Sequence, residues 1–498
     1  MIDQSDIIYF ILTDRFYDND LQNDFQVDKG NPQAYHGGDF RGIVRKIPYL
    51  KNLGVTAIWI TPVYVNIRRA QNESAPYHGY WTLDFEKVDE HLYSQNNNQP
   101  EGSKEYLKEL ADVLHKNGLK LILDMVVNHT GYEHPGLRGD PSTPIKPYWF
   151  NSPNETSDEK KWLDGLPDLN HDLPEVADYF VNNVIDWIET TGIDGIRMDT
   201  VKNVERTFWY HFKSYVRGKY PLTTVIGEVL EQDISTLSRF QRYLAFDSLF
   251  DFALQQTIWD VFIHGQSLNR IARPRLNENE PKGVLDRDFM YTNQNRLVVL
   301  LDNHDLPKRF FSEALDACNG NKQEALKIFK VATTFQFTTR GIPQIYYGTE
   351  IALEGYRDPD NRRDMRWEIF EGGLEPSSQY PVEKEAFNHI KKLANLRNKT
   401  QALQFAPLLT LYADYFVYAC LREFRGESVI VVFNNGHEPM PSPLTINIGS
   451  NKNIPPRIAK NLEGTTLHNQ IDQNDRPIQI NKDGFTVQLN GKTAAVYR

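Results

Sequence analysis

Cysteine is nearly absent from this sequence. The two present, Cys318 and Cys420, stand far apart in 498 residues and match no metal-binding or redox spacing. A disulfide framework and a thiolate metal centre are therefore excluded as the basis of the fold, and two reduced thiols are favoured over one bridge. Excess positive charge is also missing. A net charge of -11 works against nucleic acid as the main partner, because phosphate binding needs basic surface. No run of about twenty apolar residues occurs, which excludes a helical membrane span. The mean hydropathy of -0.54 agrees. Met1 is followed by Ile2-Asp3-Gln4-Ser5-Asp6, with no basic stretch leading into an apolar one, so the expected location is the cytoplasm.

Aromatic residues are plentiful, with 25 Tyr, 27 Phe and 8 Trp. Their flat apolar faces suit sugar rings, although large cores use them too. With 40% hydrophobic residues the chain can bury a large core, in roughly two to four domains or one barrel with additions.

Short apolar runs alternate with helical patterns. Strands are expected at Ile7–Thr13, Val55–Ile60, Leu121–Met125, Gly195–Asp199, Thr224–Gly227, Asp247–Phe250 (the weakest), Leu297–Leu301 and Pro343–Tyr346. Between them, Ile43, Ile47, Leu50 and Leu53 recur at helical spacing before Gly54. Tyr106, Leu107, Leu110, Val113 and Leu114 do so before Gly118, and Val176, Phe180, Val184 and Ile188 follow Pro174. Eight buried strands with intervening helices predict an α/β fold, a closed (β/α)8 barrel. Residues 128–174 are irregular and rich in Pro, Asn and Asp, so they read as a subdomain inserted after the third strand. Beyond residue 403 the pattern alternates as β structure, as in Tyr415–Ala419 and Ser428–Phe433, which predicts a C-terminal antiparallel β-sandwich. The expected division is 1–127 with 175–403 as barrel, 128–174 as insert and 404–498 as sandwich.

Barrel active sites lie at the C-terminal strand ends. Those ends carry Asp124 followed by Asn128 and His129, Arg197 and Asp199, Glu228, and Asn303-His304-Asp305. Any one could be a strand-end cap or a buried ion pair. Several like charges converging on one rim are electrostatically costly unless used. Glycoside hydrolysis needs two carboxyl groups, one attacking and one giving a proton. Asp199, beside Arg197, suits the ionised role; Glu228, after an apolar stretch and near like charges, suits the protonated one.

The motifs Asp124-Met125-Val126-Val127-Asn128-His129, Gly195-Ile196-Arg197-Met198-Asp199, Gly227-Glu228-Val229 and Leu301-Asp302-Asn303-His304-Asp305 occur in this order. With Tyr77-His78-Gly79-Tyr80-Trp81, Leu166-Pro167-Asp168-Leu169-Asn170 and Gly341-Ile342-Pro343-Gln344, they make the chain resemble the α-amylase family of retaining glycoside hydrolases along nearly its whole length. The resemblance implies cleavage of α-1,4-glucosidic bonds in starch, glycogen or maltooligosaccharides, with Asp199 as nucleophile, Glu228 as acid/base and Asp305 as a third carboxylate. It implies that Arg197, His304, His129 and His78 line the glucose subsite before the scissile bond, and that Tyr80 stacks on that sugar. Asp358 and Arg362 would touch sugars further away, and Lys202 would lie on the leaving-group side. Position 203, often His in relatives, is Asn here, which leaves the leaving-group subsites open. Thr200 resembles α-1,4-acting members more than α-1,6-acting ones.

The resemblance also implies calcium. Hard oxygen ligands cluster at Asp18, Asp20, Asn23, Asp24, Gly38 and Asp39, similar to a site in cyclodextrin glucanotransferases. A second site is implied at Asn128, Asp168 and the Asn203 backbone carbonyl. No organic cofactor is implied. The rival activities are cyclomaltodextrinase and 4-α-glucanotransferase. The short tail argues against a cyclodextrin-forming transferase, which typically has further C-terminal domains, and the early first strand against a cyclomaltodextrinase, which usually has an extra N-terminal one. A non-catalytic glucan-binding relative would have lost its carboxylates, and all three are present. Oligomeric state is not legible.

Overall fold

The structure, a computed structural model, describes residues 1–69, 71, 73–96, 98–244, 246–273 and 283–498. Eight parallel strands form one sheet: β1 (Ile8–Ile11), β2 (Ala57–Ile60), β3 (Lys120–Met125), β4 (Gly195–Met198), β5 (Thr224–Gly227), β6 (Ser248–Leu249), β7 (Val298–Leu300) and β8 (Ile342–Tyr346). The strand order is β6-β5-β4-β3-β2-β1-β8-β7. A parallel bridge from Phe250 to Val298 joins the two ends into a ring. The four residues of β1, β2, β4 and β5 are all buried, as expected where a barrel interior and a helical layer cover both faces. The weakest expected strand is present as β6, two residues long.

The helices begin and end where local chemistry directs. The helix Pro174–Thr191 starts on a proline, which needs no amide partner there, and stops at Gly192 with φ 69°. Gly54, at φ 93°, ends the helix Ile47–Leu53 in the same way. One element escapes the sequence pattern. An antiparallel hairpin, Tyr64–Asn66 with Thr82–Val88, lies between β2 and the helix Glu105–Lys116. Its register shifts twice and it exposes Glu86 and Lys87, so its alternation is too broken to read in advance.

Between β3 and the helix Pro174–Thr191 there are only short 3-10 turns, at Pro135–Arg138, Pro147–Trp149 and Leu163–Gly165. Bridges from His129 to Asp168 and from Phe150 to Leu169 tie this stretch to itself, the first close beyond the end of β3. The C-terminal residues form a four-stranded antiparallel sheet from Leu408–Ala413, Val417–Phe424, Glu427–Asn434 and Thr493–Tyr497. A smaller pair, Leu444–Asn447 with Gly484–Val487, contributes Ile446, Phe485 and Val487 to a second core with Leu421, Ile430 and Val432.

Two fully buried arginines serve as backbone clasps, Arg422 between this sheet and the barrel and Arg397 within the barrel itself. Arg422 donates to the carbonyls of Thr338 (3.0 Å), Leu403 (3.1 Å) and Ala406 (3.0 Å). Arg397 donates to those of Gln4, Phe337 and Gly341. Cys318 and Cys420 are both free thiols. No helix among the described residues is long and apolar enough to cross a membrane.

Candidate active site

The parallel register places Asp124 of β3 directly opposite Arg197 of β4. Adjacent in-register residues in parallel strands point the same way, here onto the rim at the C-terminal strand ends. The Arg197 guanidinium is 1% exposed and reaches three carboxylates. Its Nη1 donates to Asp124 Oδ1 at 2.9 Å and Asp199 Oδ1 at 2.7 Å. Its Nη2 stands 2.5 Å from Glu228 Oε1, off the hydrogen-bonding direction, so that contact is one of charge.

Asp124 is completely buried, and its other oxygen accepts from Trp59 Nε1 (3.1 Å) and Tyr80 Oη (2.8 Å). The sequence motif contained this aspartate but assigned it no role. Only the register shows that it anchors the far side of Arg197.

One guanidinium cannot neutralise three carboxylates. Burial drives the Glu228 carboxyl well above the ordinary glutamate range; Arg197 pulls it down, while the charges of Asp199 and Asp305 push it further up. Burial likewise raises Asp124, against the pull of Arg197. Burial and like charge thus favour the protonated form of Glu228. A backbone amide, that of Thr200, donates to Glu228 Oε2 at 3.1 Å.

Asp305 is the most open of the three predicted carboxylates, 36% exposed, with His304 Nε2 at 3.2 Å and Arg362 Nη2 at 3.5 Å. Burial, and after it the charges of Arg362 and Arg197, keep the His304 pKa well below its ordinary value, so a neutral ring packs against this carboxylate. Tyr80 lies parallel to the His304 ring (5.4 Å, 10°) and to the His78 ring (5.7 Å, 26°). His78 Nδ1 accepts from the Tyr80 amide, and His129 Nε2 donates to the Tyr80 carbonyl. Burial lowers the pKa of both imidazoles. Arg362 also reaches Asp358 at 3.4 Å, and Tyr77 Oη donates to the same carboxylate. Lys202 stands aside from this network, paired with Glu231 at 3.2 Å.

The residues read as calcium ligands divide into two kinds. Asp18 Oδ1, Asn23 Oδ1 and Asp24 Oδ1 are buried with no partner, and so are Asn128 Oδ1 and Asp168 Oδ1. Gly37, at φ 88°, lets Asp24 and Asp18 close in; a Cβ there would sit 2.6 Å from Asp24 Oδ1 and 3.3 Å from Asp18 Oδ2. A Cβ on Gly38 would strike the Thr13 carbonyl at 2.0 Å. Burial, and after it the Asp18 charge, raise the Asp24 pKa, and burial takes Asp168 up to about 8. These orphaned oxygens fit a hard cation.

Asp20 and Asp39 are already engaged. Asp20 accepts from Ser94 and the Gln22 amide, and Asp39 caps the helix Phe40–Arg45 while accepting from the Asn19 and Asp20 amides. Asn203 uses its side-chain amide to bond the Asp158 carbonyl. Among the described residues, no three His, Cys, Asp or Glu side chains converge as a metal centre. Any cation would therefore rely on amide and backbone oxygens as well.

The family model for the α-amylase catalytic domain matches residues 10–406. The chain is 34% identical to the beta/alpha-amylase of Paenibacillus polymyxa over 98% of its own length, and spans 37% of that relative. It superposes on an Anoxybacillus α-amylase at TM-score 0.81 and 33% identity, covering 99% of this chain and 97% of the other. It also superposes on CldA, a cyclomaltodextrin glucanotransferase with a three-domain ABC distribution, at TM-score 0.79 and 29% identity, covering 99% and 98%. The last match corrects one expectation. A tail of this length does occur in a cyclodextrin-forming enzyme, so it does not separate the two activities. The chain belongs to the α-amylase family.

Proposed function

We propose that this protein is a retaining glycoside hydrolase that cleaves α-1,4-glucosidic bonds in starch-like glucans and maltooligosaccharides. The observation that carries this reading is the single guanidinium of Arg197 gripping Asp199 on one side and Glu228 on the other. Two carboxyl groups are thereby held side by side on one cation, and burial with the neighbouring like charges favours the protonated form of Glu228, which suits it to give the proton that double displacement requires. Asp199 attacks the anomeric carbon while Glu228 passes its proton to the departing glycosidic oxygen. Water then loses a proton to Glu228 and displaces the sugar from Asp199. Asp305, His304, His129, His78 and Arg362 offer polar groups to the sugar hydroxyls before the cut, and the Tyr80 ring offers an apolar face. Lys202 with Glu231 faces the leaving portion.

Asp18, Asn23 and Asp24 would hold one calcium ion, and Asn128 with Asp168 and the Asn203 carbonyl a second. The second ion would supply charge neutralisation between the barrel and the irregular stretch after β3, and neither would take part in bond cleavage. The proposed division is a barrel (1–127 and 175–403), an inserted subdomain (128–174) and a C-terminal β-sandwich (404–498).

The resemblance to CldA favours a second reading, glucan transfer, in which a sugar hydroxyl replaces water in the second step. Product chromatography over time from starch, maltoheptaose, pullulan and cyclodextrin separates the two. Steady shortening of starch and maltoheptaose supports hydrolysis. Products longer than maltoheptaose, or cyclic products from starch, move the assignment to transfer.

A further inference from the structure

Thr200 follows Asp199 with φ 44° and ψ 40°. A β-branched residue in the left-handed region is rare and strained, and strain of this kind persists where the surroundings hold it in place. Here backbone pairing does so: the Glu228 amide donates to the Met198 carbonyl at 2.9 Å, and the Val201 amide to the Glu228 carbonyl at 3.0 Å. The turn has two outcomes. The Thr200 amide points at Glu228 Oε2, and the Thr200 hydroxyl returns to donate to Asp199 Oδ2 at 3.1 Å. Asp199 Oδ1 is taken by Arg197, which leaves Oδ2 as the oxygen able to bond to sugar.

We infer that the Thr200 hydroxyl assists the second half of the reaction, as the hydrogen-bond donor to the departing Asp199 carboxylate. This rests on the proposed nucleophile role of Asp199. In the first step Oδ2 gives an electron pair to the anomeric carbon, and its strength as an acceptor falls. In the second step water gives a proton to Glu228 and bonds to that carbon, the carbon–Oδ2 bond breaks, and its electron pair returns to Asp199. The charge reappears on the atom the hydroxyl already faces. A hydrogen bond that strengthens as charge develops accelerates that step, whereas in the first step the same bond must weaken.

The test uses α-maltosyl fluoride, whose leaving group needs little protonation. Thr200→Val keeps the branched shape and removes the hydroxyl. It should slow release of sugar from the enzyme on the order of tenfold to a hundredfold, the worth of a charge-assisted hydrogen bond. An initial burst of fluoride, of roughly one equivalent per enzyme, should then precede the slow phase. Thr200→Ser restores the hydroxyl and should suppress the burst. Thr200→Ala is a second hydroxyl-free variant should the valine fail to fold. Equal slowing of both phases in the hydroxyl-free variants, or no burst, overturns the inference. Glu228→Gln provides a separate check, since with the same substrate it lacks the base for release and should accumulate sugar on the peptide containing Asp199. If no adduct appears there, the nucleophile assignment itself fails, a different result from an adduct that forms and is released normally in Thr200→Val.

Discussion

Arg197 and Arg422 are equally buried arginines at opposite ends of the same problem. Arg197 faces three carboxylates, whereas Arg422 bonds only to backbone carbonyls. Burial opposes both charges. At Arg197 the neighbouring carboxylates, Asp124 first, overcome it and raise the pKa far above the ordinary value. At Arg422 burial prevails and takes the pKa down to about 10. Arg397 behaves like Arg422, pushed down to about 9. The carbonyl-bound guanidinium of Arg422 holds two layers together and has no carboxylate to answer its charge. The carboxylate-bound one opposes, at Asp124 and Glu228, the upward push of burial.

The largest expected effect comes from neutralising the carboxylates around Arg197. Asp199→Asn or Glu228→Gln should lower starch turnover on the order of 10^4-fold while leaving the melting temperature close to the parent's. Near-normal turnover in either variant would remove the site from the catalytic reading. Glu228→Gln should also change the pH dependence of stability. The folded pKa of Glu228 lies above its ordinary 4.5, so its contribution is complete below that value and is lost as pH rises through the raised folded value. Melting curves across that window should flatten in the variant.

A pair of substitutions breaks the comparison directly. Arg197→Met leaves buried carboxylates without their counter-charge and should destabilise by about 3–5 kcal/mol, with activity lost. Arg422→Met leaves only carbonyls unpaired, which should cost about 1–3 kcal/mol, with turnover per folded molecule unchanged. If denaturant titration gives the two variants the same stability loss and both keep their activity, the distinction between them is wrong.

The smallest effect concerns the orphaned oxygens of Asp18, Asn23, Asp24, Asn128 and Asp168. Removing calcium with a chelator should lower the melting temperature by a few degrees, roughly the shift of about 1 kcal/mol in a large domain. An unchanged melting temperature and activity would mean that these atoms are satisfied by water instead.

Much of this was legible along the chain. The runs that became β3, β4 and β5 stood out because both their faces are buried, which leaves near-continuous apolar stretches. The glycine ending the helix Ile47–Leu53 at Gly54 was equally plain, whereas Gly192, which ends the helix Pro174–Thr191, was not read as a stop. The hairpin carrying Tyr80 toward the site was not, because its strand Thr82–Val88 holds Asp84, Glu86 and Lys87 and breaks alternation. Nor was the role of Asp124, which looked like any other strand-end carboxylate until the register set it against Arg197. Asp20 and Asp39 show the reverse case: acidic residues in a loop are easy to find, but the Ser94 hydroxyl on Asp20 and the Asn19 and Asp20 amides on Asp39 come from elsewhere in the chain.

The sequence by itself determined the alternation of strand and helix, the family, and which carboxylates lie at strand ends, because burial pattern and motif spacing are local properties. Tertiary structure alone decided which of those carboxylates share a cation, and that the Thr200 hydroxyl faces Asp199 Oδ2. These depend on charges from separate strands meeting at a buried rim. Electrostatics there is set by distance and desolvation, neither of which is written in the order of residues.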